Sequence, residues 1–326
     1  MNPPAVSVVM NCYNGARHLD AALESVLAQT FRDWEIVFWD NASTDATPDI
    51  VQRAAAKDDR IRVFRAQTTT PLGAARNLAL HQCRGEFIAF LDCDDLWRPE
   101  KLERQMACFA ANPRVGLVCT DTTIGDGKRT IGRVFSRTAP VRGMAFVQLM
   151  ERQWITMSSA VLARKALGWT LDGDGLPDPD GGGLWFDETL QVCEEADLFY
   201  RVAHDWELDF VDEPLTLWRV HGANTTIRRF GQFALETEHI LEKHRRLYPG
   251  YDAQYPELVE LLTRRAAFQR AVSLWREGKG REARDVIAPW RNDCRKHRVF
   301  WWASHLPGGL FDLGVKIYFA LPMLRR

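Results

Sequence analysis

Glu86-Phe87-Ile88-Ala89-Phe90-Leu91-Asp92-Cys93-Asp94-Asp95, residues 86–95, is a short apolar run that ends abruptly in three carboxylates. The run reads as a buried strand, and the acids then fall at its carboxyl end, where open α/β sheets bind ligands. Three carboxylates crowded there repel one another. A hard divalent cation with oxygen ligands relieves that repulsion and can hold a diphosphate at the same time. The competing role is structural: Asp94 or Asp95 can cap the helix expected near Pro99.

Working outward, the same alternation recurs. Val6–Met10 is a strand-like run, and Ala16–Gln29 sets Leu19, Ala22, Leu23, Val26 and Leu27 at helical spacing. Trp34–Trp39 is the next strand, and the polar loop Asp40–Asp45 caps a helix through Ile50 and Val51. Ile61–Phe64, Gly73–Cys83 and Glu86–Leu91 repeat strand, helix, strand, and Pro99–Ala111 and Val115–Thr120 continue the series. Strands alternating with helices of this length predict an α/β fold: a mostly parallel sheet with helices on both faces. The polar clusters Asn11–Asn14, Asp40–Asp45 and Asp92–Asp95 all fall at carboxyl ends. From Thr123 to Gly183 the pattern weakens, and Asp172–Gly183 is loop, either a lid beside a site or a surface insertion. A helix over Glu194–Ala203 and strands over Leu208–Val211 and Leu215–Val220 follow. From Thr226 the chain reads as helical, with segments at Arg229–Leu247, Glu257–Glu277 and Arg281–Cys294, and with small Ala267, Ala271 and Ala283 at a helical hairpin.

With 326 residues, 46% hydrophobic and 26% charged, the chain buries a sizeable core, which excludes disordered, collagenous and disulfide-scaffold classes. The net charge of −1 hides an asymmetry: residues 226–326 hold 19 Lys and Arg against 11 Asp and Glu, leaving 23 against 32 in residues 1–225. An acidic body suits a metal or polar-substrate site, and a basic end suits an anionic surface; solvated helix faces explain the same counts. Nothing in this distribution points to nucleic acid. The seven cysteines are odd in number and include no C-x-x-C pair, so a reduced, cytoplasmic setting is expected. No secretory signal or spanning helix is expected either.

Several side chains stand out singly. Asp40 is placed to accept an N–H from a nucleobase and Tyr13 to stack on it, beside the plainer roles of turn former and half-buried core residue. Arg76 and Asn77, in the helix after Gly73, can reach a phosphate or an Asp92-side carboxylate. Glu194-Glu195-Ala196-Asp197 opens a helix, where the macrodipole favours acids. Clustered carboxylates also raise one another's proton affinity, which makes a general base near neutral pH. Arg201, four residues after Asp197, can pair with it and leave Glu195 to face a substrate. His221 ends a strand and enters a loop, with no zinc-type cluster around it.

Together, and in this order, the segments resemble a family 2 glycosyltransferase with the GT-A fold. Ser7-Val8-Val9-Met10-Asn11-Cys12-Tyr13-Asn14 resembles the family's opening strand, Asp40–Asp45 its nucleotide loop, Gly73–Asn77 its helix over the phosphates and Leu91–Asp95 its metal motif. Phe186-Asp187-Glu188, Glu194–Leu198, Arg201 and Arg219-Val220-His221 complete the set. The resemblance spans about residues 5–226 and implies a GT-A domain over 1–225, with a nucleotide half to about 120 and an acceptor half after it. Residues 226–326 form a helical, basic extension beyond it.

The resemblance implies that Tyr13 and Asp40 hold the base, that Arg76 approaches the diphosphate, that Asp92 lies near the ribose and donor sugar, and that Asp94 binds Mn²⁺ or Mg²⁺. His221 adds a metal or diphosphate contact, Glu195 is the base, and Asn14, Asn77, Asp95, Glu194, Asp197 and Arg219 are secondary candidates. Two positions depart from the pattern: Glu195 stands where the family usually has Asp, and Asn11-Cys12 replaces a Pro-Thr type pair. The implied reaction is an inverting, in-line transfer from a nucleotide-sugar donor, a UDP-sugar by family expectation although Asp40 can also serve guanine, to a hydroxyl of a glycan or lipid-linked acceptor. The rival readings are a nucleotide-sugar-binding scaffold without turnover and a phosphatase using Asp92 or Asp94; the latter's Asp-x-Asp normally sits near a chain's start, with Thr or Ser following. The apolar, aromatic-rich Val299–Leu324, flanked by basic residues, suits an anionic membrane surface, packing on the preceding helices, or a dimer interface.

Overall fold

In the computed structural model, which describes residues 3–178, 180–221 and 232–307, the early alternation builds a parallel half-sheet. β1 (Val6–Cys12), β2 (Trp34–Asp40), β3 (Ile61–Arg65) and β4 (Phe87–Phe90) lie in the order β3-β2-β1-β4, all parallel. β1 and β2 are flanked on both sides, so their near-continuous apolar sequences are buried on both faces. Helices α1 (Ala16–Leu27), α2 (Thr47–Ala55) and α3 (Leu72–Leu80) make the crossovers, and α1 buries Leu19, Ala22, Leu23 and Val26, the expected stripe. Register runs from Val6↔Trp34 to Cys12↔Asp40, so β1 and β2 end level with one another.

Beyond β4 the sheet becomes mixed. β5 (Leu96–Trp97), helix α4 (Lys101–Ala111), β6 (Val115–Gly125), β7 (Thr130–Arg133), helix α5 (Phe146–Glu151), β8 (Val161–Ala163), helix α6 (Glu194–Asp205) and β9 (Glu207–Arg219) complete the order β4-β8-β6-β9-β5, with β7 on β6. β8, β5 and β7 run antiparallel to their partners, while β6 and β9 pair in parallel. These antiparallel strands come from short stretches with too few residues to show a period. The two strands expected over Leu208–Val211 and Leu215–Val220 are one strand, β9, and the break in apolar pattern between them is an irregularity in register opposite Asp121, which faces Pro214. Asp172–Gly183 is loop as expected, and its Asp172 and Asp178 carboxylates accept N–H bonds from their own turns.

At the amino ends of the parallel strands sits a buried carboxylate. Glu35 accepts the Ser7 hydroxyl at 2.7 Å, the Arg84 N–H at 2.9 Å, the Arg84 guanidinium at 2.6 and 2.9 Å and Arg62 at 3.0 Å. Gly85 must be glycine here, because a Cβ would lie 2.5 Å from the Ser7 nitrogen. Burial alone would raise the Glu35 carboxyl, but the bonds from Arg84 and Ser7 outweigh it and hold it below the usual range.

The chain divides into two compact units, residues 1–222 and 223–326. Described by itself, the second is helical, with α7 (Gln232–Leu247), α8 (Pro256–Arg276), α9 (Gly280–Ile287) and α10 (Arg295–Ala303). Its core gathers Ala271, Val272, Trp275, Ala283, Ile287 and Phe300, so two of the three small residues noted in the sequence, Ala271 and Ala283, lie in that core. The helix expected over Arg281–Cys294 stops at Ile287 and gives way to a 3₁₀ turn at Ala288–Trp290, since Pro289 cannot donate to an α-helical ladder. Among the described residues no helix is long and apolar enough to cross a membrane. Most of the apolar Val299–Leu324 run, from residue 308 on, lies outside the described residues.

Glu35→Ala is expected to lower stability by about 3 kcal/mol, because it strips a buried, multiply bonded charge from two arginines. The native carboxyl titrates below its unfolded value, so this contribution is full at neutral pH. It fades as pH falls below the unfolded carboxylate range near 4.5, and urea melts of both proteins from pH 7 to pH 3 should converge.

Candidate active site

The turn after β1 is stitched to the loop after β2. Asn14 adopts a left-handed backbone (φ 53°), which Asn tolerates. Its N–H donates to Ser43 Oγ at 2.9 Å and its Oδ1 accepts the Thr44 N–H at 2.8 Å. Tyr13 beside it stands 54% exposed at the sheet's carboxyl edge, not half-buried in the core. Asp40 is buried, and its Oδ1 accepts the Ser43 N–H at 2.9 Å, which is the turn-forming role. Its other oxygen, Oδ2, accepts no hydrogen bond and has Arg65 Nε 3.3 Å away.

Arg76 organises the opposite side. A Cβ on Gly73 would sit 3.2 Å from the Asp187 carbonyl oxygen, so the first turn of α3 lies close against residues 187 and 188. One turn on, Arg76 is buried and donates through Nη1 to Glu194 Oε1 at 2.8 Å and through Nη2 to Asp92 Oδ1 at 3.1 Å. Glu195 Oε2 lies 3.7 Å from the same guanidinium. Arg76 thus reaches the Asp92-side carboxylate, the second of the two roles read from the sequence. Asn77 grips the neighbouring strand of chain, donating to the Phe186 carbonyl at 3.0 Å and Glu188 at 2.9 Å and accepting the Phe186 N–H at 2.9 Å. Asp197 pairs with Arg201 at 2.7 Å as the spacing implied, and Glu195 keeps about a third (31%) of its side chain exposed. Desolvation, with Glu194 and Asp92 adding to it and Arg76 opposing, pushes the Glu195 carboxyl up to about 8.

The Asp92–Asp95 run divides into three tasks. Asp92 faces Arg76, and its N–H donates to Ser158 Oγ at 3.1 Å. Asp94 Oδ2 meets His221 Nε2 at 2.8 Å. Asp95 turns inward, accepting the Ser158 hydroxyl at 2.6 Å and the Arg219 N–H at 3.0 Å. Neither Asp94 nor Asp95 caps α4, whose N-cap Glu100 makes no side-chain cap bond. Asp95 is held by β9 instead, five residues before the N-cap position of the helix. Arg219 donates through Nη1 to His18 Nδ1 at 2.6 Å, and the His18 ring stacks on His221 with centroids 5.4 Å apart. Sequence reasoning passes over His18 and Ser158: the first lies within the amphipathic pattern of α1, the second in the weakly patterned stretch before β8, and neither adjoins a motif.

Asp94 and His221 offer one carboxylate oxygen and one imidazole nitrogen in mutual contact. Among the described residues no third His, Cys, Asp or Glu converges with them into a protein-only metal centre. That donor set fits a cation of the Mg²⁺ or Mn²⁺ type, which usually takes one or two protein ligands and fills its remaining positions with phosphate oxygens and water.

Comparison with known proteins agrees with this fold. The family model for glycosyl transferase family 2 matches residues 7–167. An uncharacterized glycosyltransferase of Nostoc sp. is 31% identical over 223 residues, 67% of this chain and 66% of that protein. The Escherichia coli UDP-Glc:alpha-D-GlcNAc-diphosphoundecaprenol beta-1,3-glucosyltransferase WfgD is 38% identical over 112 residues, 34% of this chain and 44% of that protein. These matches span from about two-fifths to two-thirds of the curated relatives' length. Among solved structures, residues 1–349 of Staphylococcus aureus TarS in complex with UDP superimpose with a TM-score of 0.65 at 18% identity, covering 96% of this chain and 92% of that one, a likeness of fold.

Removing the guanidinium should be severe. Arg76→Ala is expected to cost about 4 kcal/mol, since it leaves the buried Glu194 charge uncompensated, and adding Glu194→Ala should restore more than half of the loss. Urea unfolding of the single and double variants measures both.

Proposed function

The chain belongs to glycosyl transferase family 2, and on that premise we propose that it moves a sugar from a nucleotide diphosphate sugar to a hydroxyl of a glycan or lipid-linked acceptor, with inversion at the anomeric carbon. The observation that carries the reading is the convergence on Arg76: Glu195 from the start of α6 and Asp92 from the end of β4 share one guanidinium, which puts a proton acceptor beside the carboxylate of the donor side. The exposed Tyr13 ring and Asp40 Oδ2, which accepts no hydrogen bond and lies 3.3 Å from Arg65 Nε, support a nucleobase at the ends of β1 and β2. We favour uridine, because the fold neighbour carries UDP and WfgD is named for a UDP-sugar, while Asp40 can serve guanine equally well by chemistry.

In this mechanism Glu195 accepts the proton of the attacking hydroxyl while that oxygen bonds to the anomeric carbon and the diphosphate leaves with its bonding electron pair. Arg76 sets the position of Glu195 and keeps its conjugate acid from being too weak to regenerate. Asp94 and His221 would hold the divalent cation, which when bound neutralises charge on the leaving diphosphate. Asp95 accepts the Arg219 N–H and so fixes the end of β9, two residues before the His221 that meets Asp94.

The helical second unit supports a peripheral role at an anionic membrane surface. Val299, Trp302 and Leu306 are 58%, 70% and 54% exposed, lie along one face of α10 and its continuation, and follow exposed Arg295. With the cysteine pattern, this favours the cytoplasmic side as the place of action.

Calorimetric titration of UDP and GDP, each with Mn²⁺ and with chelator, tests the donor site. Mn²⁺-dependent UDP binding is expected, and no binding of either nucleotide by folded protein would overturn the reading. Asp94→Asn should weaken Mn²⁺-dependent UDP binding at least about tenfold, because the ligand charge is lost. Glu195→Gln should lower turnover of the accepted UDP-sugar by about 10²–10⁴-fold with little change in UDP affinity; binding without turnover in the native protein would favour the scaffold reading instead. Because the base acts ionised and titrates near 8, kcat/KM should rise tenfold per pH unit below that value and level off above it.

A further inference from the structure

His18 has no place in the motifs of the chain, yet it touches both His221, which meets Asp94, and Arg219, whose N–H is bound by Asp95. Its Nδ1 lies 2.6 Å from Arg219 Nη1, and a guanidinium has donors only, so Nδ1 is the unprotonated, accepting nitrogen of the ring. The same ring stacks on His221 at 5.4 Å between centroids and 25° between planes. His221 in turn meets Asp94 Oδ2 at 2.8 Å, and the Arg219 backbone is tied to Asp95 at 3.0 Å. The end of β9 is therefore fixed through its backbone by Asp95, and through its side chains by one histidine from α1.

We propose that His18 is a positioning residue of the donor site, one that orients the Arg219 guanidinium by accepting its hydrogen bond and sets the His221 imidazole against Asp94 by stacking. The inference rests on the glycosyltransferase reading, because it takes Asp94, His221 and Arg219 as the groups that meet the cation and the diphosphate. Without the Nδ1 acceptor the Arg219 guanidinium loses this orienting hydrogen bond, and that part of its ordering must then be supplied when the nucleotide binds. Without the ring, His221 loses the plane it packs on. Misplacement by about 1 Å is enough to cost large factors in such sites.

The two contacts separate by substitution. His18→Leu removes both the acceptor and the aromatic plane, His18→Phe keeps a plane without the acceptor, and His18→Asn keeps an acceptor close to Nδ1. Titrating UDP with MnCl₂ into the full chain, His18→Leu is expected to weaken binding about tenfold or more, with His18→Phe and His18→Asn each recovering part of the loss. The thermal midpoint should move little while UDP affinity with Mn²⁺ falls, which a merely structural role would not produce. Native affinity in His18→Leu, or equal losses in all three variants, would overturn the assignment while leaving the family reading intact. Failure of the native chain to bind UDP with Mn²⁺ would overturn both.

Discussion

The arrangement depends on one buried guanidinium. Arg76 is surrounded by Asp92, Glu194 and Glu195, which come from a strand end and a helix start far apart in sequence. A buried cation is tolerated only when paired, and three acids around it exceed the charge that it can balance. The excess appears where it is useful: Glu194 takes the short contact, Asp92 the second, and Glu195, farthest at 3.7 Å, holds its proton up to about pH 8. Desolvation raises Glu195, with Glu194 and Asp92 adding to it and Arg76 opposing, and this leaves Glu195 with the proton affinity of a base.

The acidic run at the end of β4 shows how a motif of identical side chains is divided by backbone direction. Asp92, Asp94 and Asp95 differ little in chemistry, but one faces Arg76, one His221 and one the buried Ser158 hydroxyl. Desolvation and its acidic neighbours raise the Asp95 carboxyl, while the Ser158 hydroxyl and the Arg219 N–H, each donated to one of its oxygens, oppose that rise. Only Asp94 of the three is paired with an imidazole. The division also explains why β9 has to be continuous: its last residue, Arg219, must reach Asp95 in backbone and His18 in side chain at once.

The parallel half of the fold was legible in the sequence because buried parallel strands and their crossover helices carry unmistakable apolar patterns, as in Val6–Met10 and the Leu19, Ala22, Leu23, Val26 stripe. The antiparallel strands were not, since β5 and β8 span only two and three residues. Among site residues, the acids and Arg76 declared themselves by clustering and by their place after strands. Asp197 with Arg201 followed from helical spacing alone. Ser158 and His18 could not be found this way, because each acts through a contact made in space with a residue of another element, and a single hydroxyl or imidazole carries no period. The caps expected of Asp94 and Asp95 failed for a related reason: local capping competes with tertiary partners, and β9 offers Asp95 a backbone N–H that the helix does not match.

The glutamate at position 195, one methylene longer than the family's usual aspartate, is accommodated by the same geometry. Glu194 is pinned by Arg76 at 2.8 Å, which fixes the first turn of α6 against α3, while Glu195 emerges from that fixed turn with nearly a third of its side chain open. A shorter side chain from the same backbone would end farther from the guanidinium and lose part of the attraction that opposes its proton. The longer one stays within the field of Arg76, which lowers its affinity toward the working range while Glu194 and Asp92 hold it from falling to that of an ordinary carboxylate. Length and pairing therefore act together, and the departure from the family pattern is matched by the environment that receives it.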